Sequence, residues 1–203
     1  MPIKAIIGEI EVETTHKCNW HCPYCAIKTH TLPEITDDEL IKKIDGIPHG
    51  SNVTISGGEP GLLARPMVEY MLSKLIERDC ILYLNTNGTF LERYPEYIDS
   101  FRQIMYHCSE NLDNSDIIRY KNENIRYMII VNDDNINKLD GFLSRFNDIC
   151  FDIVAATYNN INDGVGLSNE NRHLIAVRYF RHMTKESFQR LFHEKEWNKM
   201  KFI

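Results

Sequence analysis

Strand signals and helix signals alternate along this chain from Ile6 to Ala156, and that alternation limits the architecture more than any other feature of the sequence. Ile6 to Thr15 reads as a strand, with Ile10, Val12 and Thr14 on one face and Glu9, Glu11 and Glu13 on the other. Thr36-Asp37-Asp38-Glu39 is a capping box that starts a helix through Leu40, Ile41 and Ile44. Asn52 to Ser56 is a second strand, and Pro66 to Arg78 has helical spacing at Met67, Met71, Leu72 and Leu75. Ile81 to Asn85 is a third strand, closed by an Asn87-Gly88 turn, and a helix is expected over Pro95 to Phe101 with proline at its first position. Strands at Ile104 to Cys108, Ile125 to Val131 and Ile149 to Ala156 follow, with a helix from Ile136 to Phe146 between the last two.

Strands separated by helices predict a parallel sheet with right-handed crossovers. In such folds ligands gather at the carboxyl ends of the strands. A hydrophobic fraction of 43% and a charged fraction of 26% suit a globular domain with a sizeable core. One domain over residues 1–203 is expected, with a core of about 1–158. Residues 159–203 are expected to form a loop and basic C-terminal helices, on which Phe188, Leu191, Phe192 and Trp197 make an apolar stripe. No apolar run is long enough to span a bilayer, and the first residues lack the pattern of a signal peptide, so the expected location is cytoplasmic.

Charge is unevenly spread. From Arg172 to Ile203 there are eight basic and three acidic residues, a net +5, which leaves −11 for the remainder of a chain of net −6. A basic segment on an acidic body suits a phosphate-bearing or acidic partner, although a solvated helix face is the commoner reason for one.

Three of the six cysteines, Cys18, Cys22 and Cys25, fall within eight residues as C-x-x-x-C-x-x-C. Cys80, Cys108 and Cys150 each stand alone in an apolar stretch and read as small hydrophobes. Such clustering favours a metal site over a disulfide framework. Three thiolates could hold an iron–sulfur cluster with one iron open, or a structural zinc ion with His16, His21 or His30 as fourth ligand.

The cysteine trio follows the first strand, Gly57-Gly58-Glu59-Pro60 ends the second and Thr86-Asn87-Gly88 ends the third. Either glycine motif alone could be a plain turn. In this order the three resemble the radical SAM superfamily, whose signature is C-x-x-x-C-x-aromatic-C, with Tyr24 here at the aromatic position. The resemblance implies an α/β fold, a partial (β/α)6 barrel with parallel strands. It also implies a [4Fe–4S] cluster on Cys18, Cys22 and Cys25, with S-adenosylmethionine (SAM) chelating the open iron. Tyr24 would meet the adenine. Gly57, Gly58, Glu59 and Pro60 would hold the amino group of SAM, with Glu59 either accepting from the ammonium or keeping the loop in shape. Thr86 and Asn87 match the T-N-G turn. Ser109, Asn111 and Asn132, at the ends of the fourth and fifth strands, stand where members contact ribose and carboxylate, although each could equally be a turn or cap residue. The longer glycine-rich motif that some members carry near the fifth strand has no match.

The activity so implied is reductive cleavage of SAM to a 5′-deoxyadenosyl radical that takes hydrogen from a substrate, fed by flavodoxin or ferredoxin. The basic segment points to a nucleotide or other phosphorylated substrate, and a peptide or protein is the rival. No auxiliary-cluster domain is expected. Cys108 and His107, at a strand end, are candidates for a hydrogen-atom donor. The non-enzymatic alternative is a zinc- or cluster-bearing module that reads nucleic acid.

Overall fold

The structure, a computed structural model, describes residues 10–22, 25, 32–108, 122–133, 135–145 and 151–155. By its internal contacts the chain divides into two compact units, Met1–His107 with Tyr120–Arg126, and Cys108–Arg119 with Tyr127–Ile203. The fold is of the α/β type expected for a partial (β/α)6 barrel, and within each unit the strands pair in parallel.

In the first unit, β1 (Ile10–Glu13), β2 (Asn52–Ser56), β3 (Ile81–Thr86) and β4 (Gln103–His107) pair in parallel, one against the next. Their register places Val12, Ile55 and Leu84 side by side, with Ile104 next in line. All four are buried, so this face is apolar. Two helices supply the apolar counterpart. Helix α1 (Asp37–Asp45) starts with the expected capping box: Glu39 donates its N–H to Thr36 Oγ1 at 3.3 Å, and the Glu39 carboxylate accepts from Thr36 N at 2.8 Å. Acids in its first turn and lysines in its last complement the helix dipole, and Leu40 and Ile44 are buried. Helix α2 (Arg65–Glu77) buries Met67, Val68, Met71, Leu72 and Leu75, a stripe of helical period. The Arg78 guanidinium just beyond it donates to the carbonyls of Ile44 and Ile47, tying the end of α2 to the end of α1 and the turn after it.

Two short elements go beyond or differ from expectation. The Asn87-Gly88 turn leads straight into a helix: Gly88, at φ 104°, is the N-cap of the short α3 (Thr89–Arg93). Only five residues long, α3 is too short for periodicity to reveal it. The Pro95 segment is a tight 3₁₀ turn, Pro95–Ser100, rather than an α-helix. Beneath them lies an aromatic cluster in which the Phe90 ring is 5.3 Å from Tyr94 and 5.6 Å from Phe101. The Tyr94 hydroxyl donates to the Leu63 carbonyl at 2.6 Å, so this buried ring keeps its polar tip satisfied.

The second unit contains most of β5 (Ile125–Val131), then α4 (Ile136–Leu143) and β6 (Phe151–Ala155), and β5 and β6 are parallel. The expected C-terminal helices and the basic segment lie outside the described residues. Among the described residues no helix is long and apolar enough to cross a membrane.

Candidate active site

Three loops of the first unit, at the carboxyl ends of β1, β2 and β3, are bound into one structure. The first carries the cysteines. Thr14 extends the pairing of β1 by donating both its N–H and its hydroxyl to the Ser56 carbonyl, each at 2.9 Å. Beyond it the main chain of Thr15 to Lys17 lies directly on the double-glycine bend. Gly58 donates to the Thr15 carbonyl at 2.6 Å and Glu59 to the Lys17 carbonyl at 2.8 Å. A Cβ on Gly58 would collide with the Lys17 carbonyl oxygen and lie 2.7 Å from its carbon, and one on Gly57 would lie 2.6 Å from the Thr15 carbonyl oxygen. Gly57 also has φ 117°, which L side chains rarely adopt. The expectation that these glycines allow close approach is met, and what approaches them here is the cysteine loop's own backbone.

Glu59 joins the three loops. Its side chain is 1% exposed, yet its carboxylate has four donors. Oε1 accepts from Gly61 N at 2.8 Å, Thr86 Oγ1 at 2.8 Å and Phe90 N at 3.1 Å; Oε2 accepts from Asn87 N at 2.7 Å. Burial pushes this carboxyl above the usual carboxylate range, and the hydrogen bonds pull against that rise. Of the two roles open to Glu59 at the sequence level, holding the loop is the one whose partners are visible. Gly61, which sequence reasoning missed, fits against the start of α3 so closely that a Cβ there would lie 2.6 Å from the Thr89 carbonyl carbon. Pro60 is buried at the start of a 3₁₀ turn, Pro60–Leu62, and Thr86 Oγ1 also accepts from Gly88 N at 3.0 Å.

Cys18, Cys22 and Cys25 are half-buried and in no disulfide, and Cys25 N donates to the Cys22 carbonyl at 3.0 Å. Cys18 Sγ accepts from Trp20 N at 3.4 Å and Asn87 Nδ2 at 3.8 Å. Burial raises the Cys18 thiol pKa, and the nearby Glu59 and Cys25 add to the rise. Among the described residues no three His, Cys, Asp or Glu side chains are grouped as a single metal ion would require. In chemical type, three thiols with N–H donors facing Cys18 Sγ suit the iron of an iron–sulfur cluster better than a hard cation. Of the candidate fourth ligands for zinc, His16 sets Nδ1 2.5 Å from the Pro33 carbonyl oxygen and Nε2 3.8 Å from Glu13.

Asn132, in the second unit, is 2% exposed, and its Oδ1 accepts from Asn135 N at 2.9 Å, ahead of α4. Cys108 is fully buried, which drives its thiol pKa far up, and burial lowers His107 to about 4. The thiol of Cys80 faces the carbonyls of Pro48 at 3.7 Å and Arg78 at 3.9 Å. Tyr24, Ser109, Asn111, His30 and Cys150 lie outside the described residues.

The family model of the radical SAM superfamily matches residues 12–110. The chain is 33% identical over 113 residues to the putative protein YfkA of Bacillus subtilis (strain 168), a match covering 52% of this chain and 30% of the relative. It is similar in structure to histidine-tagged anSMEcpe with bound AdoMet, with a TM-score of 0.58 and 12% identity over 84% of this chain and 56% of the other. Native anSMEcpe with bound AdoMet and the Cp18Cys peptide gives a TM-score of 0.55 and 12% identity, covering 84% and 59%. The chain therefore spans less than two thirds of each of these proteins. At such identities the structural likeness carries the fold alone, whereas the sequence match covers β1 through β4 and all three loops of the clamp. On that match, residues 12–110 belong to the radical SAM superfamily.

Proposed function

We propose that this chain is a radical SAM enzyme whose Cys18, Cys22 and Cys25 hold a [4Fe–4S] cluster. The observation that carries the reading is the clamp, in which Glu59 and the Gly57–Gly58 bend bind the cysteine loop to the Thr86–Asn87 turn at successive strand ends. When bound, cluster and SAM together supply one-electron reductive cleavage of a sulfonium C–S bond. The rest falls to the chain. The clamped loop fixes the three thiols, and half-burial limits the access of water to them. Since the Glu59 carboxylate is committed to protein donors, the amino group of SAM falls to main-chain carbonyls of the Gly57–Gly58 bend. Tyr24, Ser109, Asn111 and Asn132 are retained as candidates for the adenosine and carboxylate contacts. The electron donor is a low-potential carrier of the flavodoxin or ferredoxin kind.

For substrate, the net charge of +5 over residues 172–203 supports a nucleotide or another phosphorylated molecule. The rival, a peptide or protein, draws support from the peptide held by one of the similar structures, and the low identity to that structure keeps it second.

Anaerobic reconstitution should give a brown protein with about four irons per chain. Dithionite and SAM should then yield 5′-deoxyadenosine. Cys22→Ala should abolish both results, and Cys80→Ala should leave both intact. A colourless zinc protein that ignores SAM would return the chain to the class of non-enzymatic nucleic-acid modules.

A further inference from the structure

Three side chains beside Cys18 close a ring of hydrogen bonds. Asn87 Nδ2 donates to Asn19 Oδ1 at 2.8 Å, Asn19 Nδ2 donates to Thr89 Oγ1 at 3.0 Å, and Thr89 Oγ1 donates to Asn87 Oδ1 at 2.8 Å. Every bond runs in the same sense, so each polarises the next. The ring joins the cysteine loop, through Asn19, to the N-terminal turn of α3, some seventy residues away in sequence. It also settles which way the Asn87 amide faces. Thr89 N is purely a donor and lies 3.1 Å from Asn87 Oδ1, so the oxygen must face α3 and the NH₂ group must face the cysteine loop. One of the two amide hydrogens goes to Asn19. The other is left for Cys18 Sγ, 3.8 Å away.

We propose that Asn87 is a positioning residue that sets the reduction potential of a cluster held on Cys18, by presenting an oriented amide hydrogen to that sulfur. The inference rests on the cluster reading above and goes beyond it. A donor to a ligand sulfur favours the more negatively charged, reduced form and raises the potential; without it the cluster is harder to reduce. Asn19 and Thr89 act through Asn87 by holding its amide in place.

The test is the midpoint potential of the reconstituted cluster, followed by EPR during a mediated titration without SAM, so that a lost SAM contact cannot cause the shift. Asn87→Leu should lower the reduction equilibrium constant about tenfold, equivalent to about 59 mV for one electron. Thr89→Val and Asn19→Leu, which keep the amide but free its orientation, should each lower it about threefold. A fully loaded Asn87→Leu protein with the wild-type potential overturns the proposal. If that variant takes up no cluster, unchanged potentials in the other two overturn it equally. Wild-type chain that takes up no cluster overturns the reading beneath it, an outcome distinct from a cluster whose potential ignores all three residues.

Discussion

The ends of β1 to β3 and the end of β5 both carry buried polar side chains, but these are used differently. At the end of β5, Asn132 and Asn135 bond to each other: Asn132 N donates to Asn135 Oδ1 at 2.9 Å, and Asn135 N donates to Asn132 Oδ1 at 2.9 Å. Every donor and acceptor in that exchange belongs to one turn. In the first unit, Glu59 reaches residues 27 to 31 positions away, and Asn87 reaches back 68 to 69 positions. Local bonds of the first kind shape a turn, whereas bonds of the second kind hold separate loops in a fixed relation, which a multi-ligand centre needs.

The largest expected break in that contrast is Gly58→Ala. Its Cβ would meet backbone that has no room to move, so a loss of about 3 kcal/mol or more is expected, together with loss of iron uptake. Thermal melting and iron content on one preparation would check it; a Gly58→Ala protein that loads iron normally would show that the bend is looser than its contacts imply. Next is Glu59→Gln. The amide can accept at one end only, so at least one of the four donors is left facing an NH₂ group. The expected loss is about 2–3 kcal/mol by urea titration, with a fall in iron occupancy.

His107 tests burial without any loop contact. Its folded pKa of about 4 is below the unfolded value of 6.5, so the fold favours the neutral ring. The associated stability is complete above pH 6.5 and is lost as pH falls towards 4, because the unfolded chain takes up the proton first. The ring retains some surface, so about 2 kcal/mol is expected across that window, and His107→Gln should flatten the pH profile by that amount. The smallest effect is expected of Asn132→Ala, about 1 kcal/mol for the lost hydrogen bond from Asn135 N in the turn before α4, with iron content untouched. Loss of iron in that variant would end the distinction between bonds that shape one turn and bonds that hold separate loops.

How much of this the sequence disclosed follows the same division. The bounds of β2 and β5 and the capping box at Thr36 were readable because their causes are local: β-branched runs, and a pair of residues three apart. The three site loops were readable as motifs. Holding the loop was one of two roles readable for Glu59, but its partners were not, since none of those across the loops has a sequence pattern that marks a shared acceptor. Asn19, Gly61 and Thr89 escaped for the same reason. Gly88 was readable as a turn after β3, but that its left-handed backbone opens a helix shows only in the position of α3, which is too short for periodicity to reveal.

The cysteine loop is docked on the bend through Gly58 N and Glu59 N to the carbonyls of Thr15 and Lys17, all of them main-chain atoms. The bond to Lys17 is indifferent to the side chain at that position, which is exposed, whereas the His16 ring is engaged with Pro33 and Glu13. Mutational drift can therefore rewrite position 17, and with it whatever that point of the rim meets, while the docking of the loop on the bend is kept. A designer could vary position 17 without touching the main-chain bonds beneath.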